Sequence, residues 1–173
     1  MSLNFDTYSL ARLSFNDLLL QDVTKLANGE LFYLSISYED LSAGTYSLAI
    51  TTGNSELFIG IDFGCSDKLK TEFYEDATIS GGTPLSLLNR DRNSDKVMNH
   101  AIVENPTITE LGTKVGERIE GTAVNKRIGN NVALSTDGTL LLKPNTTYVV
   151  RYTLYNTADV SIIANLFEVK RRS

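Results

Sequence analysis

The sequence predicts a mainly β protein, a sandwich or jelly roll preceded by one short helix and an N-terminal arm. Three observations carry that expectation. From Leu31 onward apolar side chains recur with a period of two in short runs, as half-buried strands require. Gly, Asn and Pro punctuate those runs at regular intervals. Only one stretch, residues 14–27, has helical spacing instead.

Residues 1–13 are mixed and polar and read as an arm ordered by docking. Ser14 then suits a helix N-cap with Asp17 three residues on. Phe15, Leu18, Leu19, Val23 and Leu26 repeat at helical spacing, and Asn28-Gly29 supplies the stop. Phe32, Leu34, Ile36 and Tyr38 form the first alternating set, followed by a turn at Ser42-Ala43-Gly44. Tyr46, Leu48 and Ile50 make the second, and Leu57, Ile59, Ile61 and Phe63 the third. Gly60 and Gly64 fall on the opposite face of that third run, where a close approach or a bulge is expected. Residues 69–74 give a further short strand and residues 100–103 another, closed by Pro106. Residues 80–95 have a loop's composition, and residues 112–138 read as a long polar connection ordered by a partner. Near the end, Asp137-Gly138 and Lys143-Pro144-Asn145 mark turns. Residues 148–154 and 160–166 alternate cleanly and are expected to pair as a hairpin.

Composition bounds the function. A chain of 173 residues, 42% apolar and 21% charged, is that of an ordinary globular protein. It is expected to be one domain over residues 14–173. At this length folding buries roughly 70% of the unfolded surface, so no metal or disulfide staple is required. A net charge of −5 argues against a nucleic-acid partner. The one basic cluster, Lys170-Arg171-Arg172, reads as a solvated tail. Cys65 stands alone, without a disulfide or a CxxC site, which suits maturation in a reducing compartment. The first residues lack a signal peptide's basic start and apolar run, and no stretch approaches the ~20 apolar residues of a membrane helix. The sequon Asn145-Thr146-Thr147 is accordingly expected to be coincidental. No membrane partner is expected.

The residues offer no catalytic set. A nucleophilic triad needs a base, and the only histidine, His100, lies in an alternating run without a nucleophile motif nearby. It reads as a bonded structural histidine. One His and one Cys are too few for a zinc site, and Gly81-Gly82 precedes a loop, not a phosphate-cradling helix start. Glu39-Asp40 and Glu75-Asp76 are adjacent pairs, whose side chains on a strand point to opposite faces; both read as solvated strand ends. The remaining candidates are Asn89, Arg90, Arg92, Asn93 and Lys96. They could grip a carboxylate or phosphate, or form a hydrogen-bonded loop; structural use, including a subunit contact, is the favoured expectation. No cofactor and no enzymatic activity are expected.

Two stretches carry a family resemblance. The first is Phe73-Tyr74-Glu75-Asp76-Ala77-Thr78-Ile79-Ser80-Gly81-Gly82-Thr83-Pro84-Leu85, continuing to Leu88-Asn89-Arg90-Asp91-Arg92-Asn93-Ser94. The second is Leu141-Leu142-Lys143-Pro144-Asn145-Thr146-Thr147-Tyr148, followed by the strand over 159–168. Both resemble small virion proteins of tailed bacteriophages, in which an N-R-N-R-N-S loop and an L-K-P-N-T-x-Y lead-in to the penultimate strand recur. Asp91 stands where that loop usually has Asn. The similarity spans roughly residues 70–170 and is patchy over 105–138. It implies a jelly-roll-like antiparallel β-sandwich acting as a capsid decoration, or cement, protein. Such a protein is made in the host cytoplasm, often forms a homotrimer, and binds the major capsid protein on the virion's capsid surface. A tail or fibre-tip module that binds a host receptor is the alternative expectation, since fold does not fix function. A carbohydrate-active enzyme ranks third, because sugar stacking favours tryptophan and this chain has none.

Overall fold

The computed structural model describes residues 24–120, 128–133 and 139–169. The arm over 1–13 and most of the expected helix lie outside them. Residues 24–27 are helical, and the helix ends where Asn28-Gly29 predicts. The Glu30 amide donates to Lys25 O and the Gly29 amide to Leu26 O, the paired bonds of a Schellman cap. Gly29 has φ 63°, a conformation that glycine alone adopts without strain.

The strands follow a nested order. β1 (Leu31–Leu41) pairs with β14 (Ala158–Val169), the first with the last. β2 (Gly44–Thr51) pairs with β13 (Thr147–Leu154), and β3 (Glu56–Cys65) with β12 (Thr139–Leu142) and β11 (Ile128–Ala133). β4 (Leu69–Glu75) pairs with β10 (Thr113–Glu120). This is one long antiparallel ribbon wrapped on itself, and the wrapping sets β14 beside β3 and β13 beside β4. Two antiparallel sheets result, one running β11-β3-β14-β1 with β12 also on β3, the other β10-β4-β13-β2. They form the jelly-roll sandwich that the sequence predicts.

The period-two residues fill the space between the sheets. Phe32 and Leu34 of β1, Ile59 and Phe63 of β3 and Ile162 and Leu166 of β14 face Leu48, Ile50, Phe73, Val150 and Tyr152 of the other sheet. Tyr152 stacks on Tyr46 with ring centroids 5.6 Å apart and leans on Phe63 at 5.5 Å. Large rings of this kind each bury more area than an aliphatic neighbour.

Residues 76–112 leave the ribbon between β4 and β10 and wrap the sandwich. β6 (Thr83–Leu85) and β8 (Ala101–Glu104) extend the second sheet beyond β2, while β7 (Leu88–Asn89) adds to the first beside β1. β5 (Thr78–Ser80) and β9 (Thr107–Glu110) form a separate two-stranded flap. Its Ile79 and Ile108 cover Ala49, Tyr74 and Val149 on the outer face of the second sheet. A small second core therefore buries outward-facing residues that alternation alone assigns to solvent.

Two expectations are corrected. Residues 148–154 and 160–166 do not form a hairpin. β13 lies between β2 and β4, and β14 between β1 and β3, in opposite sheets. Each is a central strand paired on both edges within its own sheet; alternation fixes a strand's inner face but not its neighbour. Residues 112–138 are not a structureless connection either, since they contain β10 and β11. β10 is a sheet edge, and its charged residues Lys114, Glu117 and Arg118 resemble a loop in composition while being typical of a protected edge. Gly64 does mark a close approach: a Cβ there would collide with Ser161 Oγ.

Candidate interaction surface

The loop after β7 is built around one amide. Asn89 is buried, and its Nδ2 donates to Gly29 O at 2.9 Å, with Lys96 O at 3.3 Å and Ser94 Oγ at 3.4 Å. Its Oδ1 accepts the Asp91 amide at 2.9 Å, and Asp91 Oδ1 in turn accepts the Asn93 amide at 3.0 Å. Those are successive Asx turns, which fold the loop from within. Lys96 Nζ donates to Asn28 O at 2.7 Å, placing a cation on the carbonyl end of the helix. Ser94 packs so tightly on Gly29 that any side chain there would collide with it. The Arg90 amide closes the seam on Leu31 O at 2.8 Å.

Sequence reasoning grouped Asn89, Arg90, Arg92, Asn93 and Lys96, and the structure divides them. Asn89 and Lys96 clamp the helix end to the start of β1. Arg90, Arg92 and Asn93 project outward and are exposed. Beside them Val97 is 89% exposed. Sequence reasoning missed it; an isolated branched apolar residue in a polar loop was the available signal. The loop therefore offers two guanidinium groups and an apolar side chain from a backbone fixed by its own hydrogen bonds, an arrangement suited to binding because little backbone order is lost on contact.

The second stretch of the resemblance is a corner joining the two sheets. Asn145 takes φ 51° and its amide donates to Gly53 O at 2.7 Å. Thr52 Oγ1 accepts the Thr146 amide at 2.9 Å and donates to Lys143 O at 2.7 Å. Tyr148 accepts the Lys143 amide at 2.9 Å and donates to Glu75 Oε2 at 3.1 Å, while Lys143 Nζ reaches Glu75 Oε1 at 2.6 Å. Tyr148 also stacks on Phe73 at 5.5 Å. Glu75 is thus no solvated strand end: its carboxyl is held below the usual carboxylate range by Lys143 and Tyr148. The two stretches, far apart in sequence, meet in one joint.

His100 is buried and structural in its contacts. The Gly53 amide donates to Nδ1 at 3.0 Å, which leaves the proton on Nε2, 3.4 Å from Ser55 Oγ and 3.6 Å from Glu168 Oε1. Burial pushes the imidazole pKa down, opposed by the Glu168 charge. Inside the sandwich Tyr38 of β1 donates to Glu104 of β8, tying the sheets, and burial raises both the Tyr38 and the Tyr152 hydroxyls. On the outer face of β4 and β10, Glu72 lies 2.8 Å from Lys114 and 3.0 Å from Lys70. The Lys114 bond brings its carboxyl down to about 2. Among the described residues no three His, Cys, Asp or Glu side chains are placed to hold a metal. No described helix is long and apolar enough to cross a membrane.

The fold defines a class, the antiparallel β-sandwich with jelly-roll strand order. No family model matches the chain, and no curated protein does. Among solved structures, a carbohydrate-binding module in complex with beta-1,4-galactotriose aligns at 14% identity over 83% of this chain and 66% of the module, with a TM-score of 0.15. This chain therefore spans just under two thirds of that module's length, and a likeness so slight carries no argument.

Proposed function

We propose that this is a virion structural protein, a decoration or cement protein that binds the surface of a phage head through the loop over 89–97. The observation that carries the reading is the division of that loop, with Asn89 buried and Lys96 bonded to the helix end as a clamp, and Arg90, Arg92 and Asn93 exposed on its outer side. Arginine is the cation best suited to protein interfaces, because its planar fork pairs with carboxylates in two-point geometry and is weakly hydrated. The resemblance of this loop and of the corner at 141–148 to phage virion proteins supplies the partner class, the major capsid protein. Repetition on a lattice multiplies modest contacts, so a small loop suffices where many copies act together.

Electron microscopy of virions lacking this protein tests the reading. Heads without it should lose a surface feature and burst more readily on heating, while adsorption to cells is unchanged. Intact heads with lost adsorption would instead identify a receptor-binding tail module.

A further inference from the structure

One edge of the first sheet is only partly closed. Leu31 O accepts the Arg90 amide, so the polar groups of Leu31 face β7. Backbone direction alternates along a strand, and the same edge therefore carries the amides and carbonyls of Tyr33, Ser35 and Ser37. β7 takes up that edge at Phe32 and Tyr33. Beyond it the amides and carbonyls of Ser35 and Ser37 point away from β14, and none of them meets a partner among the described residues. Both serines are exposed. The run Leu34-Ser35-Ile36-Ser37-Tyr38 contains no charge, proline or glycine, the devices that usually keep an edge from pairing. Other edges of this fold do carry them. β10 has Lys114, Glu117 and Arg118 with a register break after Lys114, and β6 has Pro84.

We propose that this edge receives a second copy of the same chain, the two β1 strands pairing antiparallel about a two-fold axis at Ile36. In that register the amides of Ser35 and Ser37 donate to the carbonyls of the second copy's Ser37 and Ser35, and its amides return the bonds. Every free group of the edge is then satisfied, as a closed, self-complementary contact requires. Side chains match on both faces. Ile36 meets its own copy and Leu34 meets Tyr38 on the inner face, where Leu34 is buried and Ile36 and Tyr38 already pack against the core. On the outer face serine meets serine.

Charge and length select the same register. Glu39 and Asp40 follow the run and are exposed. A parallel pair would set these acids side by side, whereas the antiparallel pair holds the two Glu39 residues about 20 Å apart at its opposite ends. β1 breaks register after Tyr38, and Asp40 takes φ 50°. The regular run therefore stops just short of the level of Tyr33, which β7 occupies. The contact joins the first sheets of two molecules into one and is independent of what the loop over 89–97 binds.

Sedimentation equilibrium of the full chain over about 1–100 μM tests the proposal. The unmodified protein should show a monomer–dimer equilibrium, and Ser37→Lys, an exposed change that leaves the bonds to β14 in place, should weaken it at least about tenfold. Cysteine trapping in a Cys65→Ser background then reads the register. Ile36→Cys stands in a non-hydrogen-bonded pair with its own copy, Cα atoms about 4.5 Å apart, and should link two chains on mild oxidation. Ser35→Cys should not, because its two copies stand beyond the about 7 Å that a disulfide spans. A monomer at every concentration overturns the proposal, as does a trimer. So does a dimer that Ser37→Lys leaves intact and Ile36→Cys fails to link, since its contact lies elsewhere.

Discussion

Single residues in this protein act mostly as bonds between distant parts of the chain, and their chemistry is written in pH. His100 is neutral in the folded state, because burial disfavours the imidazolium more than Glu168 favours it. Its folded pKa lies below the unfolded value of about 6.5, so the unfolded chain takes the proton first. The stability contributed by neutral His100 is complete above that value and is lost as the pH falls through the folded pKa. Glu72, held at about 2, and the lowered Glu75 and Glu117 behave alike in a lower window, their contribution being lost from about 4.5 downward. Urea melts should therefore show stability beginning to fall as the pH drops below about 6.5, and His100→Asn should remove that first loss. An equal loss over that range in the variant would contradict this reading. That His100 is a bonded, structural residue was legible from its alternating surroundings. Glu75 was not, because nothing local shows that Lys143 and Tyr148 return to it from another strand.

At the scale of elements, alternation identified the strands and their inner faces, and turn residues located most of their ends. It failed where a strand's environment is set from outside. The hairpin expected after residue 148 is replaced by two central strands in opposite sheets, and β10 hides a sheet edge behind a loop's composition. Ala49 and Val149 are buried beneath a flap that contributes Ile79 and Ile108 from far along the chain. Asn89, Arg90, Arg92, Asn93 and Lys96 stood out in the sequence as one group, yet only the structure separates the residues that clamp the loop from those on its exposed side. Asn89→Ala should cost about 1–3 kcal/mol, since it strands Gly29 O and the Asp91 amide. For a chain of this size that lowers Tm by about 2–4 °C per kcal/mol. Thermal melts decide: a Tm equal to that of the unmodified protein would mean that the clamp is not what holds the loop.

The described residues form a ribbon wound into a sandwich, with an excursion over 76–112 that closes its side and displays cations there. A rigid display of this kind separates folding from binding, because exposed substitutions usually change stability by less than about 0.5 kcal/mol. The central claim is that Arg90 and Arg92 bind the capsid while the clamp beneath them serves the fold. Cosedimentation of the purified protein with phage heads that lack it measures this most directly, comparing the unmodified chain with the Arg90→Glu, Arg92→Glu double variant. The account predicts saturable binding by the unmodified protein, and at least about a hundredfold weaker binding by a variant of unchanged Tm, since truncating interface arginines alone often costs 2 kcal/mol or more. Equal binding by the two proteins, or none by either, would contradict it.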